Sequence, residues 1–138
     1  MFDRTLLAST FIDRLTSLDI LERVNDNPDR PPIEAPPAAT VWVAGSVPFE
    51  PDSNADSRIV GVYVRLYLPD YEYEQDASVD PTAQQITAAL NGWVMPCIGC
   101  SRVSIQSDFW EGVADGGVTL YMIHAEVTVH GDKFKLKA

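Results

Sequence analysis

Cys97-Ile98-Gly99-Cys100, taken with His124 and His130, is the set of residues whose types come closest to metal or redox chemistry. Two thiolates and two imidazoles are a possible zinc set, and these are the only cysteines and histidines in the chain. The spacing does not suit a finger. Twenty-three residues separate Cys100 from His124, and both histidines fall on an expected strand, not a helix. On that strand His124, Glu126 and His130 share a face, yet positions 124 and 130 stand about 20 Å apart at ~3.3 Å per residue. One ion reaches both only if the strand bends or ends early. A thioredoxin-type pair opens a helix, whose N-terminus lowers the thiol pKa. Here the pair follows an expected helix and precedes a strand, so that electrostatic help is missing. The sequence contains no Gly-rich phosphate cradle, no nucleophile elbow and no His-Glu-x-x-His helix. Acidic pairs such as Glu72 and Glu74 fall in an expected exposed loop, where raised pKa values are not expected. The expectation is a protein with no catalytic residues, no metal and no cofactor.

The elements that must position any site are legible from periodicity. Residues 3–24 predict an amphipathic helix, with Leu7, Phe11, Leu15 and Leu18 on one stripe, Asp3 as N-cap and Phe2 stapled toward Leu7. Residues 25–38 hold five of the ten prolines and read as an extended connector. Val41-Trp42-Val43 suits a short buried strand, and Gly45–Ser57 reads as a long polar loop. Arg58–Leu68 alternates most clearly: Val60, Val62, Val64, Leu66 and Leu68 on one face, Tyr63, Arg65 and Tyr67 on the other. Pro69–Asp80 reads as a solvated acidic loop.

Asp80-Pro81 opens a second helix, with Ala83, Ile86 and Leu90 on its inner side and Gly92 as the left-handed stop. A hairpin follows: Val103 and Ile105 start a strand, Asp115-Gly116-Gly117 turns, and Val118–Val129 returns. The expected fold is α+β in the order α-β-β-α-β-β, a mainly antiparallel four-stranded sheet with two helices packed on one face. The whole chain, 1–138, reads as a single domain: sheet and second helix over 39–130, and a short basic tail over 131–138.

Composition narrows the classes of partner. Acidic side chains outnumber basic ones by 20 to 10, for a net charge of -10. Such a surface repels phosphate backbones and anionic membranes. No stretch approaches the roughly 18 apolar residues of a membrane span. The early charges Asp3, Arg4 and Asp13 interrupt any secretory signal. Two cysteines are too few for a secreted disulfide framework, so a reducing cytoplasm is the expected setting.

Residues 80–93 close as Ala-Ala-Leu-Asn-Gly-Trp, with Pro96 just beyond. Ahead of them, an N-terminal helix leads through Pro31-Pro32 and Pro36-Pro37 into Ala-Ala-Thr-Val-Trp-Val, and then into Val62-Tyr63-Val64-Arg65-Leu66. In this order and pattern the chain resembles a small family of bacteriophage tail terminator and tail-completion proteins. The resemblance covers nearly the full length and rests on pattern and order. It implies a ring, usually a hexamer, that caps the tail tube, meets a head-side connector and works by steric contact without an active site. It also implies a place in the virion after assembly in the host cytoplasm, with genome passing through the ring without specific binding.

Tyrosine beside arginine on an open strand face is a composition common at protein interfaces. Tyr63, Arg65, Tyr67, Phe109 and Trp110 are therefore the expected contact residues for self-assembly or a partner. As a strand, the Phe109-Trp110 pair must split between the two faces. Two other readings stand beside the terminator: a small ligand- or zinc-binding α+β domain, and another neck or head-completion protein.

Overall fold

A computed structural model describes residues 2–32, 36–48, 57–69, 80–114 and 117–137. Helix α1 spans Arg4–Ser17, where the Asp3 carboxylate accepts the Leu6 amide at 2.9 Å and caps the first turn. Leu7, Phe11 and Leu15 are buried without exposure, as the apolar stripe requires. The helix stops a full turn and more before residue 24. Asp19 takes a left-handed φ of 55°, a conformation that aspartate tolerates better than most side chains. The chain then runs into strand β1 (Arg23–Asn25), and Ile20, Leu21 and Val24 pack on the core from a turn and a strand.

Strands β2 (Ala38–Pro48) and β3 (Ser57–Leu68) pair antiparallel, with Trp42 opposite Tyr63 and Thr40 opposite Arg65. Helix α2 (Pro81–Leu90) starts at Asp80, whose Oδ1 accepts the amides of Thr82 at 2.8 Å and Ala83 at 3.2 Å. Gly92 ends it with φ 77°, and Trp93 turns back edge-on against Phe11 at 5.4 Å. Arg14 ties the two helices together. Its Nε and Nη2 donate to the Ala89 carbonyl at 3.3 and 3.0 Å, with the guanidinium 5.3 Å above the Trp93 ring.

The remaining strands are β4 (Cys97–Ile98), β5 (Ser104–Ala114), β6 (Val118–His130) and β7 (Lys135–Leu136). The main sheet has five strands in the order β1-β2-β3-β6-β5, and β4 and β7 form a separate antiparallel pair. Val60, Val62, Val64, Leu66 and Leu68 of β3 share one core with Tyr121, Ile123, Ala125, Val127 and Val129 of β6. The buried sides of both helices join that core, so among the described residues the opposite face of the sheet carries no helix.

This corrects the expected four-stranded antiparallel sheet. The sheet is mixed and five-stranded, because β1 pairs parallel to β2 with Arg23 opposite Ala38. Parallel neighbours need a crossover of about a dozen residues, and the proline-rich connector supplies it. The element order becomes α-β-β-β-α-β-β-β-β. The extra strands β1, β4 and β7 are three residues or fewer, too short for any alternation to register.

Gly45–Pro48, expected in a loop, extends β2 past a bulge between Val43 and Gly45 and pairs with Arg58–Gly61. The expected basic tail also packs, through buried Phe134 and through β7 on β4. The acidic stretch 70–79, the loop residues 49–56 and the turn residues Asp115 and Gly116 lie outside the described residues. Among the described residues no helix is long and apolar enough to cross a membrane.

Candidate functional site

The period of two that sends the β3 valines into the core sends Tyr63, Arg65 and Tyr67 to the helix-free face. There Tyr63 lies between two rings from neighbouring strands. Trp42 on β2 is 5.6 Å away at 49°, and His124 on β6 is 4.8 Å away at 43°. The three rings form a row across the sheet, tilted to one another and within the centroid range of interacting aromatic pairs. Arg65 holds its guanidinium 5.1 Å over Trp42. It also donates through Nε to Glu111 Oε1 at 2.8 Å and through Nη2 to Oε2 at 3.3 Å. That hydrogen bond raises the pKa of the guanidinium above its ordinary value, although burial opposes it. Tyr67 differs from its two neighbours. It is only 2% exposed, packed with Ala38 and Val118 in a small second cluster, and it offers no contact surface.

Phe109 and Trp110 stand on β5, the edge strand of the sheet, and point to opposite faces. Phe109 is registered with Met122 on the helix-free side and is 49% exposed. Trp110 is registered with Tyr121 on the helix side and is 37% exposed, so neither ring is core. A bulge between Trp110 and Gly112 brings Val113, 55% exposed, onto the same side as Trp110. Edge strands are usually protected by free charge. Here the two acids beside the aromatic pair are engaged: Asp108 accepts from the Tyr121 hydroxyl and Glu111 from Arg65. The edge is long and aromatic; Glu111 is paired with the Arg65 cation, while Asp108, held only by a neutral hydroxyl, keeps its charge.

Toward the middle of the sheet, Gly45 and Gly61 face each other across β2 and β3. With no side chain at either position, they leave a depression of about 420 Å³ on the helix-free face, walled by Val47, Ile59, Tyr63, His124 and Glu126. Its floor depends on Gly61, since a Cβ there would sit 3.1 Å from His124 Nε2. Gly45 has open space where its Cβ would stand.

The cysteines and histidines do not converge. Cys100 bridges Val129, a core residue of β6, and packs toward the helix side. His124 and His130 alternate with the core residues of β6 and therefore point to the other face. The sheet itself separates thiols from imidazoles. Among the described residues no group of three or more His, Cys, Asp or Glu side chains could hold a metal ion. Burial raises both thiol pKa values, and for Cys100 the neighbouring Cys97 adds to the effect.

Compared with protein-family models the sequence matches none, and no curated protein matches it. Sequence reasoning missed Trp42, His124, Glu111 and the paired glycines as parts of this surface. The alternation rule held the signal for Trp42, because Val41 and Val43 in the core force it outward. The Gly45–Gly61 apposition and the Arg65–Glu111 bond depend on cross-strand register, which a single sequence does not display.

Proposed function

We propose that the chain is a structural virion protein of a long-tailed bacteriophage, a tail terminator that assembles as a ring on the tail tube and joins it to the head-side connector. The observation that carries this reading is the β5 edge. An 11-residue edge strand presents Phe109, Trp110 and Val113 to solvent, with its neighbouring acids internally satisfied. Exposed apolar groups on an open edge mark an association surface. The family resemblance in element order and in the Leu-Asn-Gly-Trp helix end supplies the biological setting. Under this reading the partners are further copies of the chain, in a ring that the resemblance makes hexameric, together with the tube protein and a connector or neck protein. The protein acts sterically, without catalysis, a cofactor or specific nucleic-acid binding. Its place is the virion, reached from the host cytoplasm.

The test is the solution mass by light scattering over a concentration and salt series, with and without purified tail tubes. A species of about six subunits, or one that forms on the tubes and blocks their further growth, is the expected result. A stable two-fold dimer that ignores tubes would overturn the assignment.

A further inference from the structure

The aromatic row on the helix-free face uses ring, cation and carboxylate together at one of its ends. There the Arg65 guanidinium lies 5.1 Å over the Trp42 indole and is forked on Glu111. At the other end the Tyr63 and His124 rings, 4.8 Å apart, share the wall of the Gly45–Gly61 depression with the Glu126 carboxylate. Rings and carboxylate recur, but among the described residues no lysine or arginine is paired with Glu126. Both arginines of β3 are committed elsewhere. Arg65 holds Glu111, and Arg58, in register with Val129 of the core, donates to the Ser46 side chain and carbonyl. We propose that the depression takes the guanidinium of an arginine presented by a basic partner protein. The planar head stacks on Tyr63 and His124 and forks on Glu126, while its methylene stem lies along Val47 and Ile59.

Three observations select this occupant. The wall joins aliphatic, aromatic and acidic groups, which matches the stem, flat face and charge of arginine in turn. Lysine, a compact point charge, gains less from stacked rings and cannot fork on a carboxylate. The depression holds about 420 Å³ and stays open, with Val47 at its wall 56% exposed. Sites for free small molecules bury most of the ligand, whereas an open hollow admits one side chain and leaves the backbone that carries it outside. The charge of the chain fits the same partner. At a net charge of -10 it draws basic proteins toward it and repels a second copy of itself.

This inference stands apart from the tail reading, and neither falls with the other. The test titrates the full-length protein with a capped pentapeptide holding one arginine between glycines and serines, followed by two-dimensional amide NMR. Its twins carry lysine or the neutral isostere citrulline. The arginine peptide should shift the amides of Gly45, Gly61 and His124 and saturate with a Kd of about 1 mM, as one stacked, paired cation allows. Lysine should bind about threefold more weakly or worse, and citrulline should leave the spectrum unchanged. Glu126→Gln should raise the Kd about tenfold, whereas Glu22→Gln, which removes the same charge from an exposed site elsewhere, should not change it. Gly45→Leu fills the depression at a position with open space and no positive φ, and should abolish the shifts. Circular dichroism melts check that each variant folds, with Gly45→Val as the milder substitute. No shifts at these amides up to about 10 mM peptide, equal binding of the citrulline twin, or equal losses from Glu22→Gln and Glu126→Gln would overturn the proposal. Propylguanidinium binding more tightly than the peptide would overturn the protein partner in favour of a small molecule. Self-association of the wild type that disappears in Glu126→Gln would overturn it in favour of a second copy.

Discussion

Arg65 on β3 reaches past β6 to grip Glu111 on β5, with both guanidinium–carboxylate hydrogen bonds formed and the Trp42 ring under the cation. Met122, the β6 residue in register with both Arg65 and Phe109, is buried. The pair is only partly screened, since its side chains keep 26% and 21% of their exposure. A double-mutant cycle with Arg65→Met and Glu111→Gln should give a coupling of about 1 kcal/mol that shrinks as salt rises. A coupling of zero in low-salt urea titrations would show that the two side chains do not act together.

Arg14 is the link between the helices. Arg14→Met keeps the packing of its stem on Trp93 but loses two hydrogen bonds to the last turn of α2 and the cation above the indole. The expected loss is about 1–2 kcal/mol in urea unfolding, with an unchanged m-value. A smaller loss for Arg14→Lys would follow only if charge matters more than the planar fork.

Asp80 is a buried cap. Its Oδ1 holds two amides while its Oδ2 is buried with no hydrogen-bond partner among the described residues. Asp80→Ala should destabilise the protein by about 1–2 kcal/mol through loss of the cap. Asp80→Ser keeps one acceptor and removes the orphan oxygen, so its thermal shift should be clearly smaller. Equal shifts for the two would assign the effect to packing and not to capping.

Both thiols have pKa values raised mainly by burial. At neutral pH the native protein should react with iodoacetamide more slowly than the urea-unfolded chain, and its rate should climb at a higher pH than that of a free thiol near 8.5. The stability term has a definite sign. With the folded pKa above the unfolded one, the contribution is complete below the unfolded pKa and is lost as pH rises through the folded value. The urea midpoint should therefore fall on the alkaline side, and a Cys97→Ala, Cys100→Ser double variant should flatten that fall. Equal alkylation rates for native and unfolded chains at neutral pH would contradict the burial.

What the sequence determined by itself was local. Asp3 and Asp80 announce their helices because a cap is a three-residue event, and the β3 valines announce their face because alternation is a property of one strand. It also set Phe109 and Trp110 on opposite faces. Tertiary structure alone decided the rest. Residues 20–25 continue an apolar pattern that reads as helix, and only parallel pairing of Arg23–Asn25 with Ala38–Thr40 makes them an edge strand. Tyr63 and Tyr67 are equivalent in the alternation, yet Tyr67 is buried with Ala38 and Val118 while Tyr63 joins an open aromatic row. The apposition of Gly45 and Gly61 and the bond from Arg65 to Glu111 are facts of register between strands distant in sequence. A hydrogen-bonded ladder fixes such register only once the core face is buried, because a slip of one residue would expose every valine on β3.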